Sequence, residues 1–181
     1  MLRINFDSAT TLQIKKVLTS QLWGIKYIAK REGIYTDPEW EYKTSPEYLE
    51  TLSSNDIDVC KSSNNFKFPK QMSDKLINIV KEQFPSKTVY SSGHFYYPPT
   101  GYMGWHTNYK VPGTRLYITL SSEEGKSFFR YKVGDQIITD YDDAGLTIRE
   151  FSVPKNWPFF WHCVGSNCDR FSIGYRLCDT I

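Results

Sequence analysis

Any histidine-based metal site in this chain of 181 residues draws on His94, His106 and His162, because there are no other histidines. The triplet His106-Thr107-Asn108 sets an imidazole and an amide oxygen at i and i+2, positions that share a face of an extended strand. His162 closes the aromatic run Trp157-Pro158-Phe159-Phe160-Trp161 far along the chain. Two imidazoles and one oxygen donor on one side of an ion leave three positions open, a donor set suited to non-haem iron(II). Arg170 follows His162 across Gly165-Ser166-Asn167-Cys168-Asp169. Read as a hairpin, that spacing predicts Arg170 near His162, where a guanidinium fork grips a carboxylate and Ser172 adds a donor. No Ser-His-Asp set or carboxylate pair signals acid–base chemistry instead.

The elements that must position these residues change character midway. Leu12, Ile14, Val17, Leu18 and Leu22 line one face of a predicted helix over Thr11–Trp23. Met72, Leu76, Ile79 and Val80 do the same for a helix over Lys70–Phe84, stopped before Pro85. Residues 31–69 are polar and interrupted by Pro38, Pro46 and Pro69, which predicts loops and a short helix at Pro46–Leu52. From Lys87 onward the spacing is β. The expected strands are Thr88–Tyr97, Met103–Asn108, Thr114–Leu120, Ser127–Lys132, Gln136–Thr139, Thr147–Val153, Phe159–Val164 and Arg170–Leu177, separated by Gly, Pro, Asp and Asn turns. Helices followed by strands predict a mainly β fold, a jelly roll with N-terminal helices packed on one sheet. The whole of 1–181 reads as one domain, with 1–86 as helical support and substrate lid and 87–181 as the β core.

Alternation along the strands separates two faces. Phe171, Ile173, Tyr175 and Leu177 oppose Arg170, Ser172, Gly174 and Arg176; Leu116, Ile118 and Leu120 oppose Arg115, Tyr117 and Thr119. A solvated face normally carries lysine, glutamate or aspartate, and these polar faces carry none. They are therefore expected to line a cavity, with the apolar faces under the helices.

The ordered set Tyr97-Pro98, Gly101-Tyr102, His106-Thr107-Asn108, Arg115, His162 and Arg170-Phe171-Ser172 resembles the 2-oxoglutarate/Fe(II)-dependent dioxygenases. The prolyl-hydroxylase branch and short oxygenases of marine bacteriophages are the most similar, over roughly residues 87–178. The resemblance implies a double-stranded β-helix with Fe(II), 2-oxoglutarate and O2 as cofactor and cosubstrates. It implies His106, Asn108 and His162 as metal ligands, and Arg170 against the distal carboxylate of 2-oxoglutarate. Tyr97, Tyr117, Thr119 and Ser172 would line the cosubstrate pocket. Arg176 would face the substrate, with Arg115, Tyr102 and Trp105 at the rim. The implied activity is hydroxylation of a peptidyl residue, prolyl among them, or of a small amino-acid-like substrate, with release of succinate and CO2.

Asn108 departs from the family, which has Asp or Glu there. Three readings stay open. Asn108 is a neutral ligand; or it does not ligate and water or halide fills the place; or catalysis is lost and a non-catalytic binding module remains. Glu150 or Asp142 could also bring a carboxylate from elsewhere. His94 shares parity with Tyr96, opposite to Phe95 and Tyr97, and is expected off the metal face. Cys163 and Cys168 lack the short pairs of a zinc site and are expected as reduced thiols.

Composition narrows the function classes. Net charge is +2, which points away from nucleic acid as a partner. No apolar run reaches the ~18–20 residues of a membrane helix. The start MLRINFDSATTLQ lacks the basic-then-apolar order of a signal peptide, so a cytoplasmic location is expected, the host cytoplasm if phage-encoded.

Overall fold

The computed structural model describes residues 1–31, 36–52, 60, 63–67 and 70–180. Pro69, the Met72 side chain and parts of the 31–69 stretch lie outside the described residues.

Helix α1 spans Ser8–Arg31, longer at both ends than the apolar pattern predicts. Asp7 starts it, accepting from the backbone N–H and hydroxyl of Thr10 at 2.9 and 2.6 Å. The buried stripe is Ile14, Leu18, Ile25 and Ala29, so it continues past Gly24. Leu12, expected on that face, lies about 200° around the helix from Ile14 and is exposed. A short helix α2 (Trp40–Lys43) precedes α3 (Pro46–Glu50), where Ser45 accepts from the N–H of Tyr48 at 3.2 Å and Pro46 needs no hydrogen-bond partner. Helix α4 (Lys70–Gln83) buries Leu76, Ile79 and Val80.

The strands, all antiparallel, are β1 (Leu2–Arg3), β2 (Ser63–Asn64), β3 (Phe66–Lys67), β4 (Lys87–Tyr97), β5 (Gly101–His106), β6 (Gly113–Ser121), β7 (Ser127–Val133), β8 (Gln136–Tyr141), β9 (Gly145–Val153), β10 (His162–Ser166) and β11 (Arg170–Asp179). They form a larger sheet, β1-β9-β6-β11-β4-β3, and a smaller one, β2-β5-β10-β7-β8. From β4 to β11 the chain passes repeatedly between the two sheets, and the central orders β9-β6-β11-β4 and β5-β10-β7-β8 are those of a double-stranded β-helix. The fold is mainly β with N-terminal helices, as the alternation predicts.

Three apolar groups hold it together. Leu116, Ile118, Ile148, Phe171, Ile173, Tyr175 and Leu177 on the outer face of the larger sheet pack against α1 and α4. Phe129, Tyr131, Phe151, Val153 and Val164 fill the space between the sheets. Leu49, Trp105, Phe128 and Cys163 join α3 to the outside of the smaller sheet. The polar strand faces therefore point between the sheets.

Candidate metal centre

His106, the last residue of β5, and His162, the first of β10, are register partners. Their ring centroids stand 4.2 Å apart. Two residues of β5, Gly104 and Trp105, oppose Cys163 alone, and the register shifts there. This bulge lets both Met103 and His106 face the interior while Trp105 faces out. Each imidazole donates from Nδ1 to a backbone carbonyl: His106 to Gly104 at 2.8 Å, His162 to Phe160 at 2.9 Å. A carbonyl only accepts, so the proton sits on Nδ1 and the lone pair on Nε2, the tautomer a metal-binding histidine requires. Burial pushes the His106 pKa below its usual value. His162 is pushed well below, by burial first and then by the charges of His106 and Arg115. Both rings are neutral near pH 7. Phe129 stacks on His162 at 5.3 Å and 16°, and Phe160 and Phe151 close its other sides at 5.3 and 5.8 Å.

Asn108 lies beyond the end of β5, contrary to the expected strand over Met103–Asn108. Its φ of 58° is left-handed, a conformation asparagine tolerates, and Val111 N–H closes a turn onto its carbonyl at 3.0 Å. The turn still brings its amide to the histidines: Nδ2 is 3.2 Å from Nε2 of His162. Two donors about 2.1 Å from one ion and at right angles to each other lie about 3 Å apart. Rotating the amide by half a turn would put Oδ1 in that place.

The two imidazoles border a narrow cavity of about 20 Å³, room for a single ion or water, and Asn108 reaches His162 from outside its lining. The larger sheet contributes Gly93, Phe95, Tyr97, Tyr117, Ser172 and Gly174; the smaller adds Met103, His106, His162 and Val164. Sequence reasoning missed Phe95, Met103, Phe129 and Phe151. For Phe95 the signal was its parity with Tyr97; for Met103 there was none, because the bulge reverses its side.

Arg170 and His162 are not joined in a hairpin. Ser166 donates to Cys168 O at 2.8 Å in a corner that carries the chain from β10 into the other sheet. Arg170 is fully buried there. Its Nε binds Asp142 at 2.8 Å and its Nη2 donates to Thr119 Oγ1 at 3.3 Å. Its guanidinium lies 5.2 Å from the Tyr97 ring centroid, and its Nη1 is buried with no acceptor among the described residues.

Asp142 also binds Arg149 at 2.5 Å and accepts from Ser127 at 2.5 Å. Burial alone would raise its pKa, but the two guanidiniums and the Ser127 bond outweigh this and hold it at about 2. Asp142 is thus committed to arginines. Glu150 is the register partner of Leu116, on the helix-covered face. Among the described residues no three His, Cys, Asp or Glu side chains gather as a ligand set. Neither suggested substitute carboxylate reaches the histidines.

The expected rim residues divide. Arg115 is buried on the interior face, opposite Arg176 in register. Arg176 is half-buried, 5.3 Å from the Tyr90 ring centroid. Tyr102 instead donates to Asp37 at 2.9 Å, and Trp105 donates to Ser45 O at 2.8 Å, both anchoring the 37–49 segment. Trp40 and Tyr48 pack on the outer face of the smaller sheet, away from the cavity. His94, the register partner of Ile173, is off the cavity as its parity predicts. Cys163 and Cys168 are buried thiols, and burial pushes Cys163 well above its usual pKa.

Among the described residues no helix is long and apolar enough to cross a membrane. No family model matches the sequence, and no curated protein matches it. Solved structures with similar folds include an oxidoreductase of the 2OG-Fe(II) oxygenase family from Burkholderia pseudomallei, 12% identical over 61% of this chain, with a TM-score of 0.43. The chain spans 57% of that protein. A prolyl hydroxylase from Trichoplax adhaerens, in complex with a hypoxia inducible factor oxygen degradation domain peptide fragment, is 12% identical over 98% of this chain and 83% of its own, with a TM-score of 0.48. A Pseudomonas putida prolyl-4-hydroxylase is 13% identical over 75% of this chain and 81% of its own, with a TM-score of 0.42. The fold assignment rests on the strand order itself, that of a double-stranded β-helix, in which two neutral, carbonyl-anchored imidazoles face one narrow cavity and the Asn108 amide lies beside His162.

Proposed function

We propose that the chain is an Fe(II)- and 2-oxoglutarate-dependent oxygenase that hydroxylates a C–H bond of a peptidyl residue, prolyl among them, or of a small amino-acid-like substrate. The observation that carries this reading is the pair of Nδ1–carbonyl bonds, which leaves two Nε2 lone pairs beside the Asn108 amide. The donor set fits iron(II): imidazole nitrogen and amide oxygen suit a borderline divalent ion, and the missing carboxylate lowers affinity without removing a donor. His106, His162 and Asn108 would hold the ion.

Iron(II) with 2-oxoglutarate and O2 would supply the C–H oxidant, with succinate and CO2 as products. The chain's own part is positioning. Phe129, Phe151 and Phe160 fix the His162 ring and keep water from it. Arg170 would meet the distal carboxylate through Nη1, the nitrogen that Asp142 and Thr119 leave unpartnered among the described residues, with Tyr97, Tyr117, Thr119 and Ser172 around it. A five-carbon diacid exceeds the present cavity, so its entry requires Phe95, Met103 or Tyr117 to shift. Residues 1–86 serve as support, and Arg115 and Arg176 face the substrate.

A second reading, a binding module without turnover, is favoured by the neutral Asn108 and by the Arg170–Asp142 pair. Admitting O2 to protein loaded with Fe(II) and 2-oxoglutarate, alongside a panel of peptides and amino acids, separates the two. The oxygenase reading predicts succinate together with a substrate heavier by one oxygen atom. Metal binding with no succinate under any condition supports the binding module and contradicts the oxygenase.

A further inference from the structure

Three buried guanidiniums lie between the sheets, and two have carboxylate partners: Arg149 binds Asp140 and Asp142, and Arg170 binds Asp142. Arg115 has none. It is 4% exposed, its Nη2 donates to Val111 O, and its Nη1 is buried with no acceptor among the described residues. Among the described residues no Asp or Glu lies within ion-pair reach of it. The charged residue directly opposite is Arg176, its cross-strand partner, which adds repulsion. Burying a cation beside another cation is unfavourable unless an anion joins them.

Val111, which accepts from Arg115, donates its own N–H to Asn108 O, so Arg115 is tied to the turn that presents the third candidate ligand. On β6 it shares the interior face with Tyr117, which borders the cavity. Arg170 bonds Thr119 on the same strand face, so Tyr117 stands between the two guanidiniums. The arginine beyond Thr119 has a resident counter-ion, and the one beside the Asn108 turn lacks one.

We propose that Arg115, with Arg176 across the strand pair, is a carboxylate-binding subsite, and that the primary substrate is acidic, placing a carboxylate there. The assignment of this carboxylate to the substrate rests on the oxygenase reading; the anion site itself does not. A planar fork with a free Nη1 suits a carboxylate better than a carbonyl, since the bond is charge-assisted at both ends.

The test uses the metal-free full chain and acetate as probe, read by thermal midpoint and by titration calorimetry. Acetate is expected to raise the midpoint of the wild type. Arg115→Met is expected to weaken acetate binding by about 10-fold or more, yet to raise the midpoint of the acetate-free protein, because it removes an unpaired buried charge. Arg115→Lys keeps the charge without the fork and should retain a weakened response. N-acetylglycine, with its terminal carboxylate free, and N-acetylaspartate amide, with only its side-chain carboxylate free, distinguish a terminal from a side-chain carboxylate. A response to either that Arg115→Met abolishes supports the subsite. The proposal is overturned if Arg115→Met lowers the acetate-free midpoint, or if the acetate response survives it and is lost in Arg170→Met. Neither outcome touches the oxygenase reading, which is judged separately by iron and 2-oxoglutarate binding in the wild-type protein.

Discussion

The amide nitrogen of Asn108 stands 3.2 Å from Nε2 of His162, although the two residues come from different strands' ends and Asn108 adopts a left-handed backbone. The position that would carry a charged ligand in the resembled family thus holds a neutral group at ligand distance. Asn108→Asp adds the missing charge, and aspartate also tolerates positive φ. Mn(II) affinity measured by calorimetry should rise at least about 10-fold, a factor that changes at a metal's ligand sphere commonly produce. An unchanged affinity would place residue 108 outside the coordination sphere.

Asp142 neutralises two buried guanidiniums at once. Asp142→Asn leaves Arg170 without a counter-ion and Arg149 with Asp140 alone, and should cost about 3–5 kcal/mol in urea unfolding. The wild-type contribution has a defined pH range. The carboxyl is held at about 2, below its ordinary 3.8. Its stabilisation is complete above 3.8 and is lost as pH falls toward 2, so the gap between wild type and variant should shrink across that range.

His106 and His162 give a second pH signature. Both have folded-state pKa values below the ordinary 6.5. As pH falls from 6.5, the unfolded chain binds two protons that the folded chain refuses. Metal-free stability should then drop by up to about 2.7 kcal/mol per pH unit until the folded rings themselves protonate. A His106→Gln/His162→Gln protein should show a flatter profile over this range. Parallel profiles would mean the rings are not held neutral.

Gly174 keeps the cavity wall in place. A Cβ there would meet Ser92 Oγ and Tyr117 Cε1, each at 2.8 Å. Gly174→Ala should cost about 1–3 kcal/mol through overpacking. It should also weaken 2-oxoglutarate binding in the Mn(II)-loaded protein by pushing the Tyr117 ring inward. A neutral effect on both would show that the ring has room to yield.

The alternation of Arg170, Ser172, Gly174 and Arg176 against Phe171, Ile173, Tyr175 and Leu177 was enough to read the polar face as interior, because each face repeats with period two along a regular strand. The same rule failed where the backbone is irregular. The extra residue at Gly104 and Trp105 turns Trp105 outward, and the turn from Asn108 to Val111 takes Asn108 off the strand without removing it from His162. The corner at Ser166–Cys168 has hairpin composition, yet its hydrogen bond carries the chain into the opposite sheet. The pairing of Arg170 on β11 with Asp142 in the β8–β9 connection joins residues distant in sequence, and no local spacing encodes it.

The central claim is that His106, Asn108 and His162 form a metal site beside a pocket for 2-oxoglutarate. The most direct measurement is anaerobic titration of the full chain with Fe(II) in the presence of 2-oxoglutarate, followed by visible absorption. The account predicts a metal-to-ligand charge-transfer band that saturates at one iron per chain and is absent in His106→Ala and His162→Ala. No band in the wild type, or a band of equal strength in both alanine variants, would contradict it.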